Sequence, residues 1–156
     1  MNKIITAEEL KRRVKLAYGV NIHLTDRDYF VPSSKWVMGE FRKYYDALPP
    51  EVKIDEYRTN HDCNRKAIQV YHFAGVCIAQ MEEDISPQAI ACGYIEYRTD
   101  DKLLTSGETR AGGLHAINLW CVDDYELRAF EPQEFEWVKL SKAEILSAER
   151  RDRSLF

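Results

Sequence analysis

The apolar residues of this chain change their period part-way along it, and that change limits the folds open to it. Up to about residue 80 they recur at helical spacing. Leu10, Val14 and Ala17 make one stripe. Trp36, Val37, Phe41, Tyr44, Tyr45 and Leu48 make a second, and Ala67, Val70, Tyr71, Ala74, Cys77 and Ile78 a third. Such spacing puts each set on one side of a helix. From Gln88 onward the apolar residues come in short runs rich in β-branched and aromatic side chains: "QAIACGYIEYR", "GGLHAINLWCV", "YELRAFEP" and "EFEWVKL". Turn residues at "TDDK", "TRAGG", "VDD" and "EPQ" separate them, so they read as consecutive strands. Helices first and strands second predict an α+β fold, an antiparallel sheet with the third helix packed on it.

Local signals set the element ends. "TAEE" at 6–9 is a capping box that starts the first helix at Thr6, and Gly19 is its natural stop. "VNIHLTDRDYFVPSS" reads as extended chain, after which Ser33 or Ser34 caps the second helix. "LPP" ends that helix, because proline cannot continue the hydrogen-bond ladder. The third helix begins near Asp62 or Cys63 and runs to about Gln80, with Gly75 as a mild break or a close-packing point. "SKAE" at 141–144 is a second capping box, opening a short final helix.

At 156 residues the expectation is one domain, 1–156, able to bury a core without disulfides or a structural metal. A net charge of −4 argues against nucleic acid or an anionic membrane as partner. The basic clusters "KRR" and "ERRDR" read as solvated helix faces. No apolar h-region opens the chain and no run reaches membrane-spanning length, so a cytoplasmic location is expected. Cys63, Cys77, Cys92 and Cys121 form no C-x-x-C pair, which disfavours zinc and thioredoxin-like chemistry.

Three residues could carry chemistry together. Cys63, in "HDCNRKA", stands at a helix start, where unpaired backbone N–H groups and the macrodipole favour a thiolate. Placement alone suits a buried core cysteine equally well. His115 lies in a strand among Leu114, Ala116, Ile117 and Leu119, and Glu131 ends the following strand. Neighbouring strands can set such side chains side by side, and a carboxylate on one ring nitrogen fixes the imidazole's tautomer. Cysteine at a helix start, then histidine, then an acid is the order of a nucleophile, a base and its orienter. Asn60 and His61 are candidates for an oxyanion donor or cleft wall, and Tyr57 and Trp120 for lining the cleft.

The segments "DCNRKA", "LHAINLW" and "FEPQ" resemble the Cys, His and Glu motifs of the papain-like domain at the C-terminus of a fungal (Marasmius-type) agglutinin. Related domains occur in uncharacterised bacteriophage and bacterial proteins. "DRDYFVPSSKWV" is similar to the same relatives, and the resemblance spans roughly residues 22 to 140. It implies a papain-like fold with Cys63 as nucleophile, His115 as base and Glu131 as orienter. The activity implied is that of a thiol hydrolase acting on a peptide or amide. Two departures accompany it. No glutamine precedes Cys63, and Asn64 and Arg65 stand where the family often has acids. The family's agglutinin member depends on calcium, which needs several oxygen ligands, so here no cofactor and no family-type calcium site is expected. The alternative to the hydrolase is a catalytically silent binding protein of the same fold, such as a phage accessory or host-interaction factor with a protein or peptide partner. A chance match, leaving a small α+β interaction domain, is the third reading.

Overall fold

A computed structural model describes residues 3–53, 62–78, 89–99, 102–103, 109–110, 113–151 and 154–156. Strand β1 (Lys3–Thr6) leads directly into helix α1 (Ala7–Tyr18). Thr6 caps α1, its hydroxyl accepting from the Glu9 backbone amide at 3.2 Å. The return half of the expected box does not form. Arg12 and Arg13 claim the Glu9 carboxylate at 2.7 Å each, and those bonds lower its pKa to about 2. Gly19 stops the helix at φ 69°, its amide donating to the Lys15 carbonyl at 2.9 Å. That left-handed conformation favours glycine, which has no Cβ to clash.

Strand β2 (Asp28–Val31) follows, then a continuous helical stretch, α2, made of Ser34–Trp36, a single π turn at Val37–Phe41, and Arg42–Asp46. Ser33 is its cap, accepting from the Trp36 amide at 3.0 Å. Helix α3 (Asp62–Ile78) carries the third stripe. Strands β3 (Ala89–Ile90), β4 (Cys92–Arg98), β5 (Lys102–Leu103), β6 (Thr109–Arg110), β7 (Leu114–Val122), β8 (Glu126–Glu131) and β9 (Glu136–Val138) come next. Helix α4 (Lys142–Arg151) and strand β10 (Ser154–Leu155) end the chain. The α4 box is complete: the Glu144 amide donates to Ser141 Oγ at 3.1 Å, and the Ser141 amide donates to Glu144 Oε1 at 3.0 Å.

The fold is α+β, with a five-stranded antiparallel sheet in the order β10-β4-β7-β8-β9. A second sheet, β1-β2-β3, was not foreseen, and its β2–β3 pair is parallel. Ala91 joins the two sheets, its amide donating to Phe30 and its carbonyl accepting from Cys121.

Strand β7 divides the core. Side chains alternate along a strand, and Ile117, Leu119 and Cys121 pack with Leu10 and Val14 of α1 and Ala148 of α4. Trp120 and Val122 face the other way, toward α2 and α3. Phe41, fully buried, is the hub there, its ring 5.4 Å from Trp120 and 5.8 Å from Phe73. Asn118 ties α3 down, its Nδ2 donating to the Ala67 carbonyl at 2.8 Å and the Gly93 carbonyl at 3.1 Å. Trp120, expected as a cleft residue, is fully buried in this layer instead. Gly75 is no close-packing point, since a Cβ there would meet nothing within 4 Å.

Candidate functional site

His115 and Glu131 come together as expected. His115 Nε2 lies 2.5 Å from Glu131 Oε2, with both side chains mostly shielded from solvent. The pairing register explains the meeting. Asn118 stands opposite Phe130, so Glu131 falls diagonally across from His115 on one face of the sheet. Glu131 is fixed from its own turn as well, because Oε1 accepts from the Gln133 amide at 3.1 Å. The contact favours the tautomer in which Nε2–H donates to the carboxylate, leaving Nδ1 as an acceptor. Tyr97, directly opposite His115 in register, meets its ring edge-on at 5.7 Å. Burial pushes the Tyr97 hydroxyl well above its ordinary pKa, and the nearby charges of Glu144, Glu131 and Cys63 add to the rise.

Cys63 sits in the first turn of α3, 5% exposed, packed against Ala67, Ala116 and Tyr94. Its thiol meets Asn64 Oδ1 at 3.4 Å, and Asn64 in turn donates to Glu96 Oε1 at 3.0 Å. Ala116 and Glu96 belong to the α3 face of the sheet, whereas His115 and Tyr97 belong to the α1–α4 face. No hydrogen bond joins Cys63 to His115 among the described residues. Asn60, His61 and Tyr57 lie outside the described residues. No group of histidine, cysteine, aspartate and glutamate among the described residues could hold a metal ion. No helix among the described residues is long and apolar enough to cross a membrane.

A cavity of about 160 Å³ lies elsewhere, between the chain just before β2, the exposed side of α3 and the C-terminus. Thr25, Asp26, Tyr71, His72 and Gly75 line its mouth, with Tyr29 and Phe156 beneath. The buried Tyr29 hydroxyl shapes it, accepting from the backbone amides of Thr25 and Asp26 at 3.1 Å each. Thr25 Oγ1 donates to Asp26 Oδ2 at 2.8 Å. The Tyr71 ring leans on His72 at 5.1 Å and on Tyr94 at 6.4 Å. Burial raises the Tyr71 hydroxyl pKa, with the Thr25 side chain opposing the rise, so the group is a neutral donor and acceptor at ordinary pH. The sequence reading missed this cavity. Its one visible sign was Gly75, a glycine inside a long helix.

No protein-family model matches the chain, and no curated protein is similar to it in sequence. Solved structures do match in fold. One is the Polyporus squamosus lectin bound to the human-type influenza-binding epitope Neu5Acα2-6Galβ1-4GlcNAc, with TM-score 0.63 and 15% identity over 98% of this chain. Another is PSL1a in complex with E64, with TM-score 0.60 and 16% identity, again over 98% of this chain. The chain spans about half the length of each, 49% and 50%. The likeness to a fungal agglutinin therefore holds at the level of fold, and nothing in these comparisons shows a papain-like peptidase domain. The expectation of a papain-like thiol hydrolase or thiol protease is corrected by the same finding: the solved structures that share the fold are lectin structures. The organism named among them is a fungus, not a bacteriophage.

Proposed function

We propose that this protein binds carbohydrate. The supporting observation is the fold likeness, along nearly the whole chain, to a lectin solved with a sialylated trisaccharide. The likeness spans half of that lectin, so the ligand class is carried here as a proposal. The alternative weighed from the sequence, a silent binding protein, is the one this favours, with a glycan as partner in place of a protein or peptide. The aromatic and hydroxyl-rich lining of the cavity suits such a ligand. Sugar rings offer apolar C–H faces to an aromatic side chain and hydroxyls to polar ones, and small-molecule sites combine apolar walls with a few placed polar groups.

In this reading the His115–Glu131 contact is structural, fastening β7 to the turn after β8, and Cys63 is a packing residue of α3. A glycan array probed with labelled protein tests the proposal. Binding to a defined set of glycans is the expected result. Binding to none, by protein whose melting curve shows it folded, contradicts it.

A further inference from the structure

Gly75 is the observation that points furthest. A glycine inside a helix costs about 1 kcal/mol relative to alanine. That cost is often the consequence of close packing, but here a Cβ would meet nothing within 4 Å. Gly75 lines the cavity, so the room its missing side chain leaves is room for something else.

The rest of the lining says what that is. Asp26 is exposed, and its Oδ1 makes no hydrogen bond among the described residues, while Oδ2 is held by Thr25. The Thr25 hydroxyl and the neutral Tyr71 hydroxyl stand beside it. This set accepts from and donates to neighbouring hydroxyls of one small polyol. The Tyr71 ring supplies an apolar surface against which a ring's C–H face can pack, and Phe156 closes the floor. At about 160 Å³ the cavity falls below the range of roughly 300–1,000 Å³ usual for larger ligands, so it suits one ring and not an extended chain. Among the described residues no lysine or arginine lines it, and its carboxylate repels another.

We infer that this cavity is the subsite for a single neutral pyranose, with Asp26 accepting from its hydroxyls, Tyr71 packing on its ring and Gly75 leaving it space. The inference deepens the carbohydrate-binding proposal and depends on it. It also separates this chain from the sialylated ligand of its structural neighbour. A sialic acid brings its own carboxylate toward Asp26, which disfavours it.

Isothermal titration decides the matter with Galβ1-4GlcNAc and Neu5Acα2-6Galβ1-4GlcNAc as ligands, alongside any neutral glycan identified on the array. The wild type is expected to bind a neutral sugar at least about tenfold more tightly than the sialylated one, the scale of a partly screened like-charge contact. Asp26→Asn, at an exposed position, weakens neutral-sugar binding by on the order of tenfold or more, the loss of a charge-assisted hydrogen bond. Gly75→Leu fills the space and abolishes binding, and its melting temperature does not fall. Should Gly75→Leu fail to fold, Asp26→Asn and Tyr71→Ala decide between them. A wild type that binds glycans, with these variants binding equally well or with the sialylated ligand preferred, overturns the subsite and leaves the carbohydrate-binding proposal standing. A folded wild type that binds no glycan overturns both.

Discussion

Asn118→Asp should convert a buried polar tie between sheet and helix into a repulsion. The wild-type amide nitrogen donates to two carbonyls, Ala67 O on α3 and Gly93 O on β4, in a fully buried setting. An aspartate is nearly the same shape but, ionised, has no proton to give. Two net bonds of about 1 kcal/mol each are lost, and a buried carboxylate is left facing two acceptors. The combined cost exceeds about 3 kcal/mol at neutral pH, or roughly 6–12 °C in Tm for a chain of this size. The cost depends on pH. Burial raises the introduced carboxyl's folded pKa above its unfolded value of about 3.9. Its protonated form regains one donor, so the variant is closest to wild type below the unfolded pKa. The gap widens as pH rises through the folded pKa and is flat beyond it. Asn118→Leu is the control. It also loses both bonds, but it removes Asn118 Oδ1, which is buried without a partner among the described residues, and this offsets much of the loss. Thermal melts of both variants from pH 4 to 8 measure this. A leucine variant less stable than the aspartate at pH 8, or a pH-independent gap, refutes the assignment of the amide as the tie.

Gly19→Ala should cost roughly 1–2 kcal/mol, because its φ of 69° is left-handed and a Cβ would lie 2.9 Å from Glu149 Oε2; an unchanged denaturation midpoint contradicts this. Burial pushes the Cys77 thiol up to about 11 and Cys121 to about 12, and raises Cys92 as well. All three should therefore react slowly with iodoacetamide at pH 7.5, after Cys63, with rates that climb as pH rises; peptide mapping over time shows the order, and early labelling of any of the three counts against it. Melting curves with millimolar calcium and with chelator should coincide, because a ligand bound only by the folded state must raise Tm. A clear upward shift with calcium shows that a site exists despite Asn64 and Arg65.

Much of the architecture was legible because its signals are local. Thr6, Ser33 and Ser141 cap helices through bonds to residues three positions on, and Gly19 stops one within its own turn. Strand β1 was obscured because the capping signal at Thr6 abuts it, and its pairing with β2 is long-range. The His115–Glu131 contact was legible because β7 and β8 are consecutive and their register follows from a short turn. The relation of Cys63 to His115 was not. It depends on the parity of one pleat, Ala116 against His115, which periodicity in a near-continuous apolar run does not reveal. The cavity was invisible for another reason. Thr25, Tyr71, Ile90 and Phe156 come from four separate segments, and only the tertiary fold brings them together. The order cysteine, histidine, glutamate suggested hydrolysis, whereas the solved structures that share the fold are those of a lectin.

The most direct measurement is an amide-resolved NMR titration of the uniformly labelled protein with a neutral glycan that it binds. Saturable shifts concentrated at Thr25, Asp26, Tyr71, His72, Gly75 and Phe156 are expected, with the amides around His115 and Glu131 unmoved. Saturable shifts centred on His115, Glu131 and Cys63 with the cavity silent, or no shifts with any glycan, would contradict it.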